Sequence, residues 1–295
     1  MKINLSDFRF DGKGRFKIDD TRTKVKDLYQ DNNDYEAIMA GLRAEMDALQ
    51  TVMYAHNRYA VLVVLQAMDA AGKDGTLKAV MSGVNPAGVR IVSFKRPSET
   101  ELSHDFLWRH SLELPERGNI TVFNRSYYEE VLVVKVHPNI LTDVQQLPTE
   151  LTKDLKEVFR NRYEDIVNYE KYLQNNGTKI IKFFLNVSKQ EQGKRLIARI
   201  EDPTKNWKFE DGDVKERELW DNYQTAYQDT INATATESAP WYVVPADDKK
   251  NMRIIVARAI NQAMTELAMS LPESSPERHK QLQTLIATIK KQDAK

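Results

Sequence analysis

The chain of 295 residues contains no cysteine. That absence removes disulfides, zinc–thiolate sites, iron–sulfur clusters and thiol nucleophiles together, and it fits a reducing compartment. A surplus of either charge is also missing: 43 Lys and Arg balance 43 Asp and Glu. Proteins that coat nucleic acid or bind anionic membranes need excess positive charge, so neither partner is expected. Local segregation, and with it a polyanionic ligand, stays compatible with a neutral total. Long apolar runs are missing too: Ala60 to Leu65 is far too short to span a bilayer. The opening residues Met1-Lys2-Ile3-Asn4-Leu5 carry no apolar core of a secretory signal. A soluble, cytoplasmic protein is expected, and 41% hydrophobic residues suffice for a core.

What is present is an alternation. Residues 1 to about 34 are polar and charged, an arm expected to pack on the body or on a neighbouring subunit. From Tyr35 to about Ala55, apolar residues Ile38, Leu42, Met46, Leu49 and Met53 recur every three or four positions, which predicts an amphipathic helix. Ala60-Val61-Leu62-Val63-Val64-Leu65 then reads as a strand buried on both faces of a parallel sheet. Similar runs at Val89–Phe94, Ile120–Phe123, Ile180–Val187 and Trp241–Val244 are separated by helical patterns, including a long one from about Glu150 to Leu173. The expected class is α/β, a doubly wound sheet with ligands outside the strands' carboxyl ends. Residues 1–57 are expected to form an arm and helix, and 58–295 the catalytic domain.

The sharpest motif follows the first strand: Gln66-Ala67-Met68-Asp69-Ala70-Ala71-Gly72-Lys73-Asp74-Gly75-Thr76. A buried strand, a turn of small residues and Gly-Lys opening a helix make a phosphate loop. Small residues bring the backbone to phosphate distance, successive N–H groups form an anion nest, and the helix dipole adds to it. Lys73 supplies a mobile cation. The motif departs twice from the usual pattern. Ala67 stands where Gly begins it, and Asp74 where Ser or Thr would hold Mg²⁺. Asp69 is a further acid, tolerable beside phosphate when a divalent cation lies between them. An ordinary strand–turn–helix corner with solvated charges is the alternative.

Other clusters have weaker signals. Asn124-Arg125-Ser126-Tyr127-Tyr128-Glu129 follows a strand, where an α/β ligand site should lie, and Arg125 is a natural anion clamp. Ser188 and Glu191 read as a capping box, followed by Gln192, Arg195 and Arg199 on one helix face. Six basic residues against one acid fall between Lys179 and Arg199. That run is either a solvated face or a phosphate-facing one, with Arg199 favoured over Arg195. Glu201 to Asp221 holds eight acids and four bases interrupted by Trp207, Phe209 and Trp220, the composition of a lid. Lys95-Arg96 would extend a positive track. Trp220, Tyr223 and Tyr227 read as packing, and His104, His110 and His137 as packing or surface residues.

Asp69-Ala70-Ala71-Gly72-Lys73-Asp74-Gly75 resembles the phosphate loop of the polyphosphate kinase 2 family, in which Ala first and Asp after the Lys are usual. The resemblance continues through Ser93–Ser98, Glu101–Arg109, Phe123–Glu129 and Lys205-Asn206-Trp207-Lys208-Phe209, covering about residues 60 to 250. It implies a P-loop kinase-like three-layer α/β/α domain with a parallel sheet, a helical lid near 200–225 and a helical N-terminal extension. It also implies transfer of the terminal phosphate of inorganic polyphosphate to AMP and ADP, dependence on Mg²⁺ or Mn²⁺, and a homo-oligomer. Asn124 with Glu129 resembles the class III branch, which uses both acceptors. Carried onto this sequence, the catalytic residues are Asp69 (also the metal ligand), Lys73, Arg125 and Glu129. Phosphate and nucleotide contacts fall on Ala70, Ala71, Gly72, Asp74, Gly75, Thr76, Lys95, Arg96, Asn124, Arg199, Lys205 and Lys208. Two rivals stand beside this reading: an ATP-dependent P-loop kinase, and a non-catalytic regulator that binds nucleotide or polyphosphate.

Overall fold

All eight residues of the strand Ala60–Ala67 (β2) are buried, a pattern that only a sheet covered on both faces allows. The computed structural model describes residues 3–294, without the side chain of Lys208. Around β2 lie β3 (Val89–Ser93), β4 (Ile120–Asn124), β5 (Thr178–Asn186) and β6 (Trp241–Pro245), all pairing in parallel. A two-residue strand, β1 (Arg9–Phe10), adds antiparallel to β6, giving the order β1-β6-β5-β2-β4-β3. This edge differs from the all-parallel sheet expected, because two residues show no periodicity to read. The chain leaves β2 for β3, returns to β4 beside β2, and only then crosses to β5. Segments following β2 and β5 therefore diverge, and the crevice between them is the natural ligand position.

Helices cover both faces. Asp31 caps Asn32–His56 by accepting from the Asp34 amide at 2.9 Å. That helix buries Tyr35, Met39, Leu42, Met46 and Met53 against Lys249–Thr265, which also packs on the phosphate-loop helix Lys73–Met81. Leu155–Asn175 and Trp220–Thr234 pack together in the second layer. The arm lies on the body, fastened by side-chain amides. Asn232 takes both the N–H and the carbonyl of Phe16, Gln228 accepts from Ile18, and Asn251 from Leu28. Among the described residues no helix is long and apolar enough to cross a membrane.

An ion pair sits inside this core. Lys182 of β5 is fully buried and uses all three ammonium protons, on Glu170 Oε2 at 2.7 Å, Thr234 O at 2.8 Å and Tyr128 Oη at 3.1 Å. Tyr127 and Tyr128 both donate to Glu170 Oε1, at 3.0 and 2.7 Å. Burial raises both phenol pKa values well above the ordinary one, which keeps them protonated donors. With every member satisfied the network is tolerable; with one removed it is not. Glu170→Ala is expected to cost about 3–5 kcal/mol in urea unfolding by stranding the buried ammonium. The double change Glu170→Leu with Lys182→Met should cost much less. Equal losses for the two proteins would contradict the argument.

Candidate active site

Sequence and backbone agree closely at the loop after β2. Ala70 has φ +56° and Gly72 φ +105°, two left-handed residues in a five-residue turn from Met68 to Gly72. A side chain at Gly72 would also meet Met252 Cε at 3.3 Å. The helix Lys73–Met81 begins with Thr76 N donating to Gly72 O at 3.0 Å. The N–H groups before Thr76 thus have no intrahelical acceptor and form the anion-binding end of the helix. Lys73 Nζ donates to Ala67 O and Met68 O at 2.9 and 3.3 Å. Burial lowers its pKa, opposed first by Asp69.

The loop is held from behind by Arg195, on the helix Lys189–Glu201. Its Nη1 donates to Ala71 O at 2.8 Å and Ala70 O at 3.4 Å. Its Nη2 donates to Ala246 O and Asp247 O at 2.7 and 2.9 Å, and its Nε to Glu191 at 2.9 Å. The carbonyls of 70 and 71 are thus fixed on the side of this helix, while Ala71 N closes the turn on Met68 O at 3.3 Å. Buried Gln192 adds a bond to Asp69 O at 3.1 Å and accepts from Arg217 at 2.7 Å, which ties the lid helix Gly212–Glu218 to the loop.

Beyond β4 the backbone turns sharply, with Arg125 at φ +64°. Its guanidinium lies 3.4 Å from Asp69 Oδ1. Ser126 then caps a short turn of helix, Tyr127–Val131, that carries Glu129. Gln66, with its amide oriented to satisfy both neighbours, donates to Glu129 Oε1 at 2.8 Å and accepts from Ser126 Oγ at 3.0 Å. Burial raises the Glu129 pKa, while Arg125 and Lys73 pull it down. Asn124 Nδ2 donates to Asp74 Oδ1 at 3.0 Å and Ser93 Oγ at 3.2 Å. Its Oδ1 is buried without a partner among the described residues.

These groups open on a cavity of about 190 Å³ lined by Asp69, Arg125, Glu129, Asp213, Arg217 and Tyr227, among others. Arg199 reaches it indirectly, pairing with Asp213 at 3.4 Å. Burial and the nearby Asp69 raise the Asp213 pKa. Glu216, also on the wall, is gripped by Tyr223 Oη at 2.6 Å and His137 Nε2 at 2.9 Å.

Of the predicted site residues, Asp69, Lys73, Asp74, Asn124, Arg125 and Glu129 come together, with Ala70, Ala71, Gly72 and Gly75 forming the backbone around Lys73. Thr76 does not join them: it is fully buried, and its hydroxyl donates to Gly72 O. Lys95 and Arg96 are exposed on the β3 flank, where Arg109 holds only the Lys95 carbonyl. Lys205 is exposed and pairs with Asp202. The Lys208 side chain lies outside the described residues. Three readings change. Arg195, ranked below Arg199, is the arginine that touches the loop. Ser188 makes half the expected box: it accepts from Glu191 N, but its own amide goes to Asp247. Tyr223 and Tyr227 are packed, yet they also line the cavity. The i, i+3 spacing of Gln192 and Arg195 was the available signal for both loop contacts.

A phosphate loop at a switch point, braced by an arginine helix and faced by a lid, defines a P-loop phosphotransferase of the kinase type. The family model described as Polyphosphate kinase 2 (PPK2) matches residues 29–271. The chain belongs to that family. It is 49% identical over 282 residues to the ADP-polyphosphate phosphotransferase of Rhodopseudomonas palustris, covering 96% of this chain and 97% of the relative. It is 44% identical over 235 residues to the AMP/ADP-polyphosphate phosphotransferase of Meiothermus ruber, covering 80% and 83%. The fold matches the crystal structure of polyphosphate kinase 2 from Arthrobacter aurescens TC1 with a TM-score of 0.84, at 36% identity and 95% coverage of each chain.

Arg195→Ala should leave the far-ultraviolet circular dichroism spectrum intact and reduce phosphotransfer turnover about 100-fold, because the reacting groups lose their positioning. A loss below about threefold would remove Arg195 from this role.

Proposed function

We propose that this protein transfers the terminal phosphate of inorganic polyphosphate to AMP and to ADP, giving ADP and ATP. The observation that carries the reading is the joining of Asp69, Lys73, Arg125 and Glu129 at one phosphate loop, in a chain whose relatives are named for polyphosphate. The catalytic unit is residues 58–295, with the lid near 200–225 and residues 1–57 as arm and helix.

Phosphoryl transfer needs positioning and charge neutralisation more than covalent help. Lys73 and Arg125 take the oxygens of the moving phosphoryl group, while the loop amides from Ala70 to Gly75 hold the donor phosphates. The acceptor is itself an anionic phosphate at neutral pH, so no strong general base is required. Glu129 orders Arg125 and tunes the choice between AMP and ADP. Arg199, Lys205 and Lys208 neutralise charge from the lid side, and Lys95 and Arg96 from the other flank.

A divalent ion, Mg²⁺ with Mn²⁺ as substitute, fits the donor set present. Among the described residues no three acidic or imidazole side chains converge on a protein-only cage. Mg²⁺ in kinases needs only one or two carboxylates besides phosphate oxygens, and Asp69 supplies one beside the loop. Asn124, with an unpartnered Oδ1, fits a contact to that ion's water shell. When bound, the ion neutralises charge on the phosphates; the residues above orient them. A cytoplasmic homo-oligomer fits the cysteine-free composition and the exposed Leu285, Ile286 and Ile289 of the helix Pro276–Asp293.

The test is donor replacement. AMP with polyphosphate and a divalent metal, without ATP, should give ADP and then ATP. Lys73→Ala should lower that rate by about 10²–10³. ADP formed only when ATP is supplied would favour an ATP-dependent kinase, and binding without turnover a regulator.

A further inference from the structure

The arm carries a second feature on the sheet edge that bears the phosphate loop. Residues Thr21 to Asp27 cross the ends of β5 and β6 without regular secondary structure, bending at Thr21 and Thr23. Asn186 Nδ2 donates to Thr21 Oγ1 at 2.8 Å. Asp247 N donates to Thr23 O, and Thr23 Oγ1 to Asp247 Oδ2, both at 2.9 Å. Thr21, Thr23 and Val25 are half-buried, so the alternate residues Arg22, Lys24 and Lys26 face solvent, and all three are exposed. None of the three has an ion pair among the described residues.

Cations also bridge the gap to the loop. Arg253 lies against the loop helix: a Cβ on Gly75 would be 3.5 Å from its Nη2. Its buried Nε has no partner. Lys249 is exposed one turn earlier. Desolvation lowers its pKa, and repulsion from Arg195 and Arg253 pushes the same way, against Glu191. Asp19 and Asp20 are exposed beside Arg22, whereas the acids nearer the loop are already engaged. Asp247 serves Ser188 N and Thr23, Asp248 caps Asn251 and meets Tyr29 Oη, Asp27 accepts from Asn251 Nδ2, and Glu191 pairs with Arg195.

We propose that Arg22, Lys24 and Lys26, joined through Lys249 and Arg253 to the phosphate loop, form an outer track for the distal phosphates of a long polyphosphate. The inference rests on the polyphosphate-donor reading and adds to it a determinant of donor length. Residues 22–26 precede residue 29, where the family match begins. The stripe would hold the polyanion by charge alone, as extended basic segments hold nucleic-acid backbones.

The experiment compares long-chain polyphosphate with tripolyphosphate as donor to ADP in the parent and in R22A/K24A/K26A. In the triple variant KM for the long donor should rise about tenfold at unchanged kcat, each exposed charge contributing modestly. Its dependence on log salt should flatten by a slope of about 2. KM for tripolyphosphate should change by less than about twofold. The charge-keeping variant R22K/K24R/K26R should restore the parental KM. An equal shift on both donors, or none, overturns the outer track. So does a length-dependent KM defect confined to K95A/R96A, on the opposite flank. Parental turnover with tripolyphosphate tests the donor reading separately. Absence of parental turnover with both donors sinks both ideas, whereas parental turnover with an unshifted triple variant sinks only the track.

Discussion

A phosphate loop works when its peptide N–H groups point one way, and that demands something to hold its carbonyls the other way. Here that task falls to one guanidinium. Arg195 is planar and cannot be deprotonated in a protein, and its donors reach Ala70, Ala71, Ala246, Asp247 and Glu191 at once. The left-handed backbone at Ala70 is costly for a non-glycine residue, and the same clamp offsets that strain. Lysine would be no substitute, since a single ammonium cannot bridge both segments. The clamp also reaches further than the loop. Asp247 is where the arm meets the end of β6, so loop, sheet edge and arm are held as one unit.

The second constraint is electrostatic. Asp69, Glu129, Asp213 and Glu216 line a cavity that must receive phosphates, with Arg125 and Arg217 opposing them. Burial raises the pKa values of Glu129 and Asp213, and the nearby Asp69 adds to both shifts. Four carboxylates against two guanidiniums oppose the entry of a bare polyanion, and Asp69 lies 3.4 Å from the Arg125 guanidinium.

Much of this was legible in the sequence, for reasons that can be named. The run Ala60–Leu65 reads as a buried strand because nothing in it tolerates water. The loop reads as a phosphate site because small residues before Gly72-Lys73 have few other uses. What escaped was decided by tertiary packing. Arg195 and Arg199 share one helix face, and only the folded arrangement decides which reaches the loop and which meets Asp213. Ser188 and Glu191 have capping-box spacing, yet Asp247 takes the Ser188 amide and Arg195, one turn on in the same helix, takes the Glu191 carboxylate. β1 depends on Trp241 and Tyr242, and the arm's amide contacts on Asn232, Gln228 and Asn251, all more than two hundred residues away in the chain. No local pattern records such pairings.

The neutral total conceals how the charge is arranged. Residues 151–200 carry eleven basic and six acidic residues, and 201–250 carry six and twelve. The structure lays the second stretch over the first: Arg199 meets Asp213, and Arg217 crosses back to Gln192 and the Lys189 carbonyl. Cancellation thus occurs where the lid covers the arginine helix, away from Lys73 and the exposed Lys249. A protein positive overall would attract polyanions over its whole surface, with many unproductive registers. Cancellation at the lid lowers that general attraction, while Lys73, Lys249 and Arg253 beside the phosphate loop carry no ion pair among the described residues.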